Sequence, residues 1–308
     1  MFTLNRHNFS PTIYNFLKND TYDHEDPKKL HISGSSLDEP LKPYILDKNL
    51  PHKRDVSDLI KIKIGEAVHD SVLMTMDFKG ICREKRFDDV TINVDGETCT
   101  LRGKPDEITW PSMLHPIKNL LHDSGVTDVD WQDRTTARVC IADIKSAQKY
   151  KLMYKDFEKF KLQLSFYRYI LMRSKTFKDM MEKYQSFFIS DLALIYYIML
   201  DHTQANMKLS LTPIKEIVIS LYDDQTIEKI ILNVIRERIP YWGVTDQTML
   251  PACNEDTQFK YRGKYCFKYC KARACCLQRA QLFGPYDASQ EDKPMPTITL
   301  SNGKTIRG

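Results

Sequence analysis

"CIADIKSAQ", residues 140–148, reads as a buried strand that carries an acid and a lysine among small and apolar neighbours. Side chains alternate between the two faces of a strand, so Asp143 and Lys145 point one way while Ala142 and Ile144 point the other. Taken alone, two opposite charges on one face are an ordinary ion pair at a sheet edge. The rest of the chain decides whether they are more.

Upstream, "LRGKPDEI" (residues 101–108) ends a predicted strand at Gly103 and places Asp106 at the strand end. If these two strands are neighbours, Asp106, Asp143 and Lys145 meet at one rim of a sheet. Two carboxylates there suit a hard divalent cation such as Mg²⁺, which keeps waters and binds phosphate oxygens. Such an ion acidifies a bound water and offsets charge building on phosphorus, and a lysine beside it orients or helps deprotonate that water. Phosphodiester hydrolysis is the natural reaction for this set. Downstream, Gln163 and Tyr167 stand one turn apart on a predicted helix, in a stripe that also holds Phe160, Leu164, Ile170 and Leu171. A buried amide without partners costs about 1–3 kcal/mol. Core packing and a neighbouring polar site are the two readings of this pair.

In chain order, "GEAVH" (Gly65–His69), "GKPD" (Gly103–Asp106), "DIK" (Asp143–Lys145) and "QLSFY" (Gln163–Tyr167) resemble the four signatures of RecB-like nucleases of the PD-(D/E)xK superfamily, in the version often found in phage genomes. The resemblance covers roughly residues 30–280 and implies a restriction-endonuclease-like core. On that likeness His69, Asp106 and Asp143 resemble the ligands of Mg²⁺ or Mn²⁺, with the Ile144 carbonyl as another. Lys145 is similar to the catalytic lysine, and Gln163 with Tyr167 resembles the substrate-positioning pair. Two departures stand out. Many relatives carry a glutamate one turn beyond the motif-one histidine, where this chain has Leu73. The gap from Asp106 to Asp143 also exceeds the usual short hairpin, so residues 111–134 read as an insertion around a short helix. Glu66 and Glu84 are nearby acids whose spacing compels no role.

Periodicity supplies the other elements. Helical pieces are predicted at "SPTIYNFLKN" (10–19) and "SSLDEPLKPYIL" (35–46), the second capped by Ser35 or Ser36, and an amphipathic helix from Ser57 to about Met76. A meander follows over 80–110 with turns at Asp88-Asp89 and Asp95-Gly96, then a long helix at about 152–173. Strands at 192–200 and 216–222 and a helix at 224–239 complete an α/β fold with a mixed central sheet flanked by helices, followed by a C-terminal cysteine-rich metal-binding segment. The expected organisation is an N-terminal helical or irregular extension over 1–50, the nuclease core over 51–245, the cysteine-rich segment over 246–284 and a flexible tail over 285–308.

Eight cysteines include Cys253, Cys266, Cys270, Cys275 and Cys276 in one short polar stretch, which suggests thiolate ligands more than a disulfide framework. RecB-like nucleases, the CRISPR adaptation nucleases among them, include members that end in a Cys-x2-Cys-x5-Cys run holding a [4Fe–4S] cluster, and this run resembles it with one extra residue in the first gap. The resemblance implies a cluster on Cys253, Cys266, Cys270 and either Cys276 or Cys275, with Zn²⁺ as the alternative and reduced packed thiols as the third reading. Such a centre would order a stretch too polar to order itself and present Lys264, Lys268, Lys271 and Arg273 to a DNA backbone. Cys82, Cys99 and Cys140 lie on predicted strands and read as packing residues.

A formal net charge of +4 is too mild to establish a nucleic-acid partner, but residues 145–183 hold eleven Lys or Arg against four Asp or Glu, which suits a phosphate-bearing ligand or a solvated helix face. The longest apolar run, "LALIYYIML", is too short to span a bilayer and the N-terminus lacks a secretory layout, so a cytoplasmic protein is expected, or one in the host cytoplasm if phage-encoded. The function expected is a metal-dependent deoxyribonuclease, an exonuclease in DNA recombination, repair or degradation, with a helicase or recombinase as candidate partner. The alternative is a catalytically silent DNA-binding module of the same fold.

Overall fold

Twelve residues, Thr136–Ala147, form the strand expected around Asp143. They belong to a computed structural model that describes residues 3–4, 10–18, 29–50, 54–55, 58–74, 81–109, 136–147, 157–199, 214–254, 265–286, 298–299 and 305–306. The expected insertion at 111–134, the start of the long helix at 152–156, Lys264 and most of the expected tail lie outside the described residues. In chain order the elements are β1 (Thr3–Leu4), α1 (Pro11–Lys18), β2 (His31–Ser33), α2 (Leu41–Asn49), β3 (Arg54–Asp55), α3 (Asp58–Met74), β4 (Ile81–Arg83), β5 (Phe87–Val94), β6 (Glu97–Gly103), β7 (Glu107–Thr109), β8 (Thr136–Ala147), α4 (Glu158–Arg173), α5 (Lys175–Met181), β9 (Ser186–Ile189), β10 (Leu192–Met199), β11 (Ile214–Ser220), α6 (Asp224–Arg238), α7 (Leu277–Phe283), β12 (Ile298–Thr299) and β13 (Thr305–Ile306). The fold is mixed α/β, with mixed sheets flanked by helices. Its contacts separate two units: His31–Asp38 with Ile62–Ile235, and Met1–Leu30 with Glu39–Lys61 and Arg236–Gly308.

The first unit holds a sheet of order β11-β10-β8-β7-β4, with β9 also paired to β8, and a three-stranded sheet of order β2-β6-β5. β8 pairs parallel with β9 along its first half and with β10 along its second, and antiparallel with β7 on its other edge. Because β10 has neighbours on both edges and is buried on both faces, "LALIYYIM" reads as a continuous apolar run and not an alternating one. On one face of β8, Cys140, Ala142 and Ile144 pack with Leu194 and Tyr196. The helix α4 packs on β5, β6 and β8. Its approach is close at Gly103, where a Cβ would stand 3.1 Å from Ile170 Cδ1 and 3.2 Å from Tyr167 Cδ1.

Three local expectations are corrected. The meander expected over 80–110 is interrupted at Lys104–Asp106, and the strands on either side, β6 and β7, belong to different sheets. Pro105 explains the break, since it has no N–H to give a ladder and is tolerated only where pairing ends. Asp88 and Asp89 lie within β5 and form no turn; a register irregularity between Phe87 and Val90 absorbs them, and Asp89 accepts a hydrogen bond from the Thr176 N–H. Asp95 and Gly96 do turn, with φ of 53° and 88°. The helix expected at 35–46 is a 3-10 turn at Gly34–Ser36 followed by α2, because the residue before Pro40 is pushed out of the helical region.

In the second unit α2 packs Tyr44, Ile45 and Leu46 against Leu250, Cys270, Ala272 and Cys276. Arg238 is buried there, its guanidinium 3.7 Å from the Tyr44 ring centroid and donating to the Glu39 carbonyl. Among the described residues no helix is long and apolar enough to cross a membrane.

Candidate active site

The short strand β7 pairs with β8 only from Thr109 opposite Cys140 to Glu107 opposite Ala142. Beyond Ala142 the two strands part, and Asp106 stands at the fork. In place of a ladder bond, the Ile144 N–H donates to Asp106 Oδ2 at 2.8 Å. In an extended strand the N–H and C=O of one residue face the same edge, so the Ile144 carbonyl opens toward the fork as well. Asp143 and Lys145 share the β8 face that the strand period assigned to them, and Lys145 Nζ makes an ion pair with Asp143 Oδ2. From α3, His69 Nε2 lies 3.0 Å from Asp106 Oδ1. His69, Asp106, Asp143, Ile144 and Lys145 thus converge at one fork.

The electrostatics of this group are unbalanced. Asp143 is 1% exposed and its Oδ1 accepts no hydrogen bond from the described residues. Burial pushes its carboxyl up to about 7; Lys145 opposes that shift and the Asp106 carboxylate adds to it. Burial works the same way on Asp106, but the hydrogen bond from His69, the charges of Lys145 and His69 and the Ile144 N–H outweigh it and hold that carboxyl below its usual range. His69 is raised, first by its bond to Asp106. A buried carboxylate oxygen without a donor, facing a second carboxylate, fits a cation. His69, Asp106, Asp143 and the Ile144 carbonyl are the donors it would find, a set of hard oxygens plus one imidazole. As the side chains stand, no three His, Cys, Asp or Glu groups among the described residues converge closely enough to hold an ion.

Gln163 and Tyr167 are buried, and Gln163 Nε2 donates to Tyr167 Oη at 2.8 Å. The amide therefore finds a partner on its own helix, and the packing reading gains by it. On the same stripe Phe160 lies under Lys145, with Nζ 5.6 Å from the ring centroid, so the stripe reaches the Asp143–Lys145 pair. Tyr167→Phe is expected to cost about 1–3 kcal/mol by leaving the amide without its acceptor. If the pair positions substrate, cleavage should fall further than the urea midpoint explains; an equal loss in both measurements assigns it to packing.

Glu84 is the site residue that spacing did not find. Its Oε1 lies 3.5 Å from His69 Nδ1 and 3.1 Å from Lys104 Nζ. The β4–β7 register, with Arg83 opposite Glu107, brings it there, and sequence separation gave no signal of that pairing. Glu66 instead pairs with Lys63. Within the basic run at 145–183, Lys159 pairs with Asp38, Arg168 with Asp224, and Arg173 with Asp224 and Glu228.

In the second unit Cys253, Cys266, Cys270 and Cys276 line one cavity of about 10 Å³ together with Lys42 and Gln278. Cys275 does not line it, and its Sγ lies 3.4 Å from the Ala272 carbonyl. Cys266 and Cys270 are brought to the same cavity by a π-helical turn, Tyr265–Tyr269, closed by Cys270 N–H to the Tyr265 carbonyl at 2.7 Å. A π turn holds one residue more than an α turn. It absorbs the extra residue that separates this spacing from Cys-x2-Cys. Gln278 holds the Cys253 backbone from both sides, accepting from its N–H and donating to its carbonyl, while Gln247 does the same for Cys275 O and Leu277 N–H. Burial is the first cause that pushes the thiols up, Cys253 to about 11 and Cys266 and Cys270 to about 12, and their mutual repulsion adds to it. Of the basic residues expected to face DNA, Lys271 pairs with Glu39 and Arg273 donates to the Cys270 carbonyl; the side chains of Lys264 and Lys268 lie outside the described residues. Cys99 and Cys140 are buried, and Cys82 is half-buried.

The chain matches no family model and no curated protein. Among solved structures it is similar to SSO0001 at a TM-score of 0.42 and 14% identity, over 73% of this chain and 84% of that one. A likeness this distant carries no argument about function.

Proposed function

We propose that this chain is a metal-dependent nuclease of the RecB-like PD-(D/E)xK type that hydrolyses phosphodiester bonds in DNA, an exonuclease of recombination, repair or degradation. The observation that carries the reading is Asp143: a carboxylate 1% exposed, with one oxygen that accepts no hydrogen bond from the described residues, opposite Asp106 and beside Lys145 where two strands part. Burying a carboxylate oxygen with no donor costs free energy that a bound cation would offset.

His69, Asp106, Asp143 and the Ile144 carbonyl would hold Mg²⁺ or Mn²⁺, which when bound acidifies water and offsets phosphate charge. Lys145 Nζ orients the attacking water and stabilises charge developing on the phosphate oxygens. Asp106 holds His69 and the Ile144 amide in place through its two oxygens. The four cavity cysteines would bind a [4Fe–4S] cluster or Zn²⁺ with a structural and DNA-holding role.

Purified full-length protein is to be incubated with linear single-stranded DNA, linear duplex, circular duplex and RNA, each with Mg²⁺, Mn²⁺ or EDTA. Loss of linear DNA with the ion and none in EDTA is expected, with circular duplex spared by an exonuclease. Turnover that persists in EDTA rejects the site. DNA binding without cleavage under every condition supports the silent binding module.

A further inference from the structure

Two of the contacts made by Lys145 Nζ differ in kind. One is the ion pair with Asp143 Oδ2; the other is the ring of Phe160, over which Nζ stands 5.6 Å from the centroid, within reach of a cation–π contact. The Lys145 side chain is 24% exposed, so water screens neither contact fully. Phe160 belongs to the first turn of α4, which packs on β8, and it shares the helix face of Gln163 and Tyr167. Phe157 flanks its ring, with the two centroids 6.4 Å apart. An aromatic side chain has far fewer torsions than the flexible four-carbon stem of a lysine, so the ring is the fixed member of the contact.

With Asp143 engaged by a divalent cation, the ammonium loses that carboxylate and is repelled by a like charge. A lysine that is to orient water and steady charge on a phosphate must then be held by another group. A second carboxylate would take up the N–H donors that the reaction needs. An aromatic face attracts the ammonium through its quadrupole and leaves N–H groups for oxygen acceptors. We propose that Phe160 is a positioning residue of the fork: its ring face is the seat that keeps the Lys145 ammonium beside the reacting phosphate once a divalent cation has taken Asp143. Helical spacing alone groups Phe160 with the packing residues of its stripe; the ammonium over its face is what packing does not ask for. The inference rests on the nuclease reading for the cation and the phosphate, and on the geometry alone for the contact between Lys145 and Phe160.

Phe160→Leu keeps an apolar side chain and removes the ring, whereas Phe160→Tyr keeps the ring face. The first readout needs neither DNA nor turnover. In full-length protein with ¹³C-labelled lysine, the Lys145 side-chain protons nearest Nζ should be shifted upfield by the ring, and further upfield as Mg²⁺ is added; Lys145→Ala identifies the signals. The shift is expected in the wild type and in Phe160→Tyr and should vanish in Phe160→Leu. The second readout is cleavage of linear DNA at saturating Mg²⁺. There kcat should fall about 3–30-fold in Phe160→Leu, the scale of one cation–π contact, with KM for DNA and the Mg²⁺ dependence unchanged, and Phe160→Tyr should restore it. Lys145 signals that move away from the ring-shifted position with Mg²⁺, a wild-type kcat in Phe160→Leu, or an equal loss in both variants each overturn the inference and leave the nuclease reading standing. Wild-type protein whose Lys145 signals ignore Mg²⁺ and which cleaves nothing overturns both.

Discussion

Asp143→Asn is expected to abolish DNA cleavage and, at the same time, to stabilise the protein when no metal is present. The two effects have one cause. Asp143 is buried with an oxygen that no donor among the described residues satisfies, and burial pushes its carboxyl up to about 7. Between the unfolded value near 4 and that folded value, the native state holds a proton that the unfolded chain has lost. Stability without metal therefore falls as pH rises through this window and is fully retained below it. The asparagine variant should lack that fall, melting higher than wild type at pH 8 and close to it at pH 4. Saturating Mg²⁺ should reverse the order, because an ion that binds only the native state stabilises it by mass action. Cleavage should drop by at least about 10²–10³-fold, the scale for removing one preorganised electrostatic group. Lys145→Ala should lose activity to a similar degree while leaving the metal-dependent stabilisation in place. Full activity in Asp143→Asn would falsify the assignment of the fork as the active site. A variant less stable than wild type at pH 8 without metal would show that the carboxylate has its partners already.

Cys275→Ala and Cys276→Ala, one residue apart, are expected to behave as opposites. Cys276 lines the cavity with Cys253, Cys266 and Cys270, whereas Cys275 turns to the Ala272 carbonyl. Of the two, Cys276 alone stands with the other cavity thiols. Removing it should empty the centre and unfold the cysteine-rich segment, since structural metal in small peptides contributes about 10–16 kcal/mol to folding. Removing Cys275 should leave metal content unchanged. Because the cavity thiols are pushed well above neutrality, binding must release protons, so metal should be lost as pH falls. Elemental analysis and the visible spectrum of anaerobically purified variants measure this. Brown protein with iron supports [4Fe–4S], colourless protein with zinc supports the alternative, and equal metal content in the two variants removes the four-cysteine centre.

Much of the site was legible because its rules are local. A period of two puts Asp143 and Lys145 on one face whatever surrounds them, and a period of 3.6 stacks Gln163 on Tyr167. The cysteine run announced itself by density. Leu73 also showed by its identity that the histidine helix lacks an acid at that turn.

Which side chains meet at the fork was decided by pairing between distant segments. Arg83 opposite Glu107 brings Glu84 to His69, and β7 pairing with only part of β8 opens the fork in which Asp106 takes over the Ile144 amide. Likewise, the choice between Cys275 and Cys276 and the clasp of Gln278 on Cys253 depend on how the chain after Tyr265 turns. The sequence by itself determined which neighbours on one strand or helix share a face, because backbone period acts at short range. Only the tertiary structure decided which of them meet, because register between strands is set by the burial of whole faces, and a shift of one residue would turn every side chain to the other side.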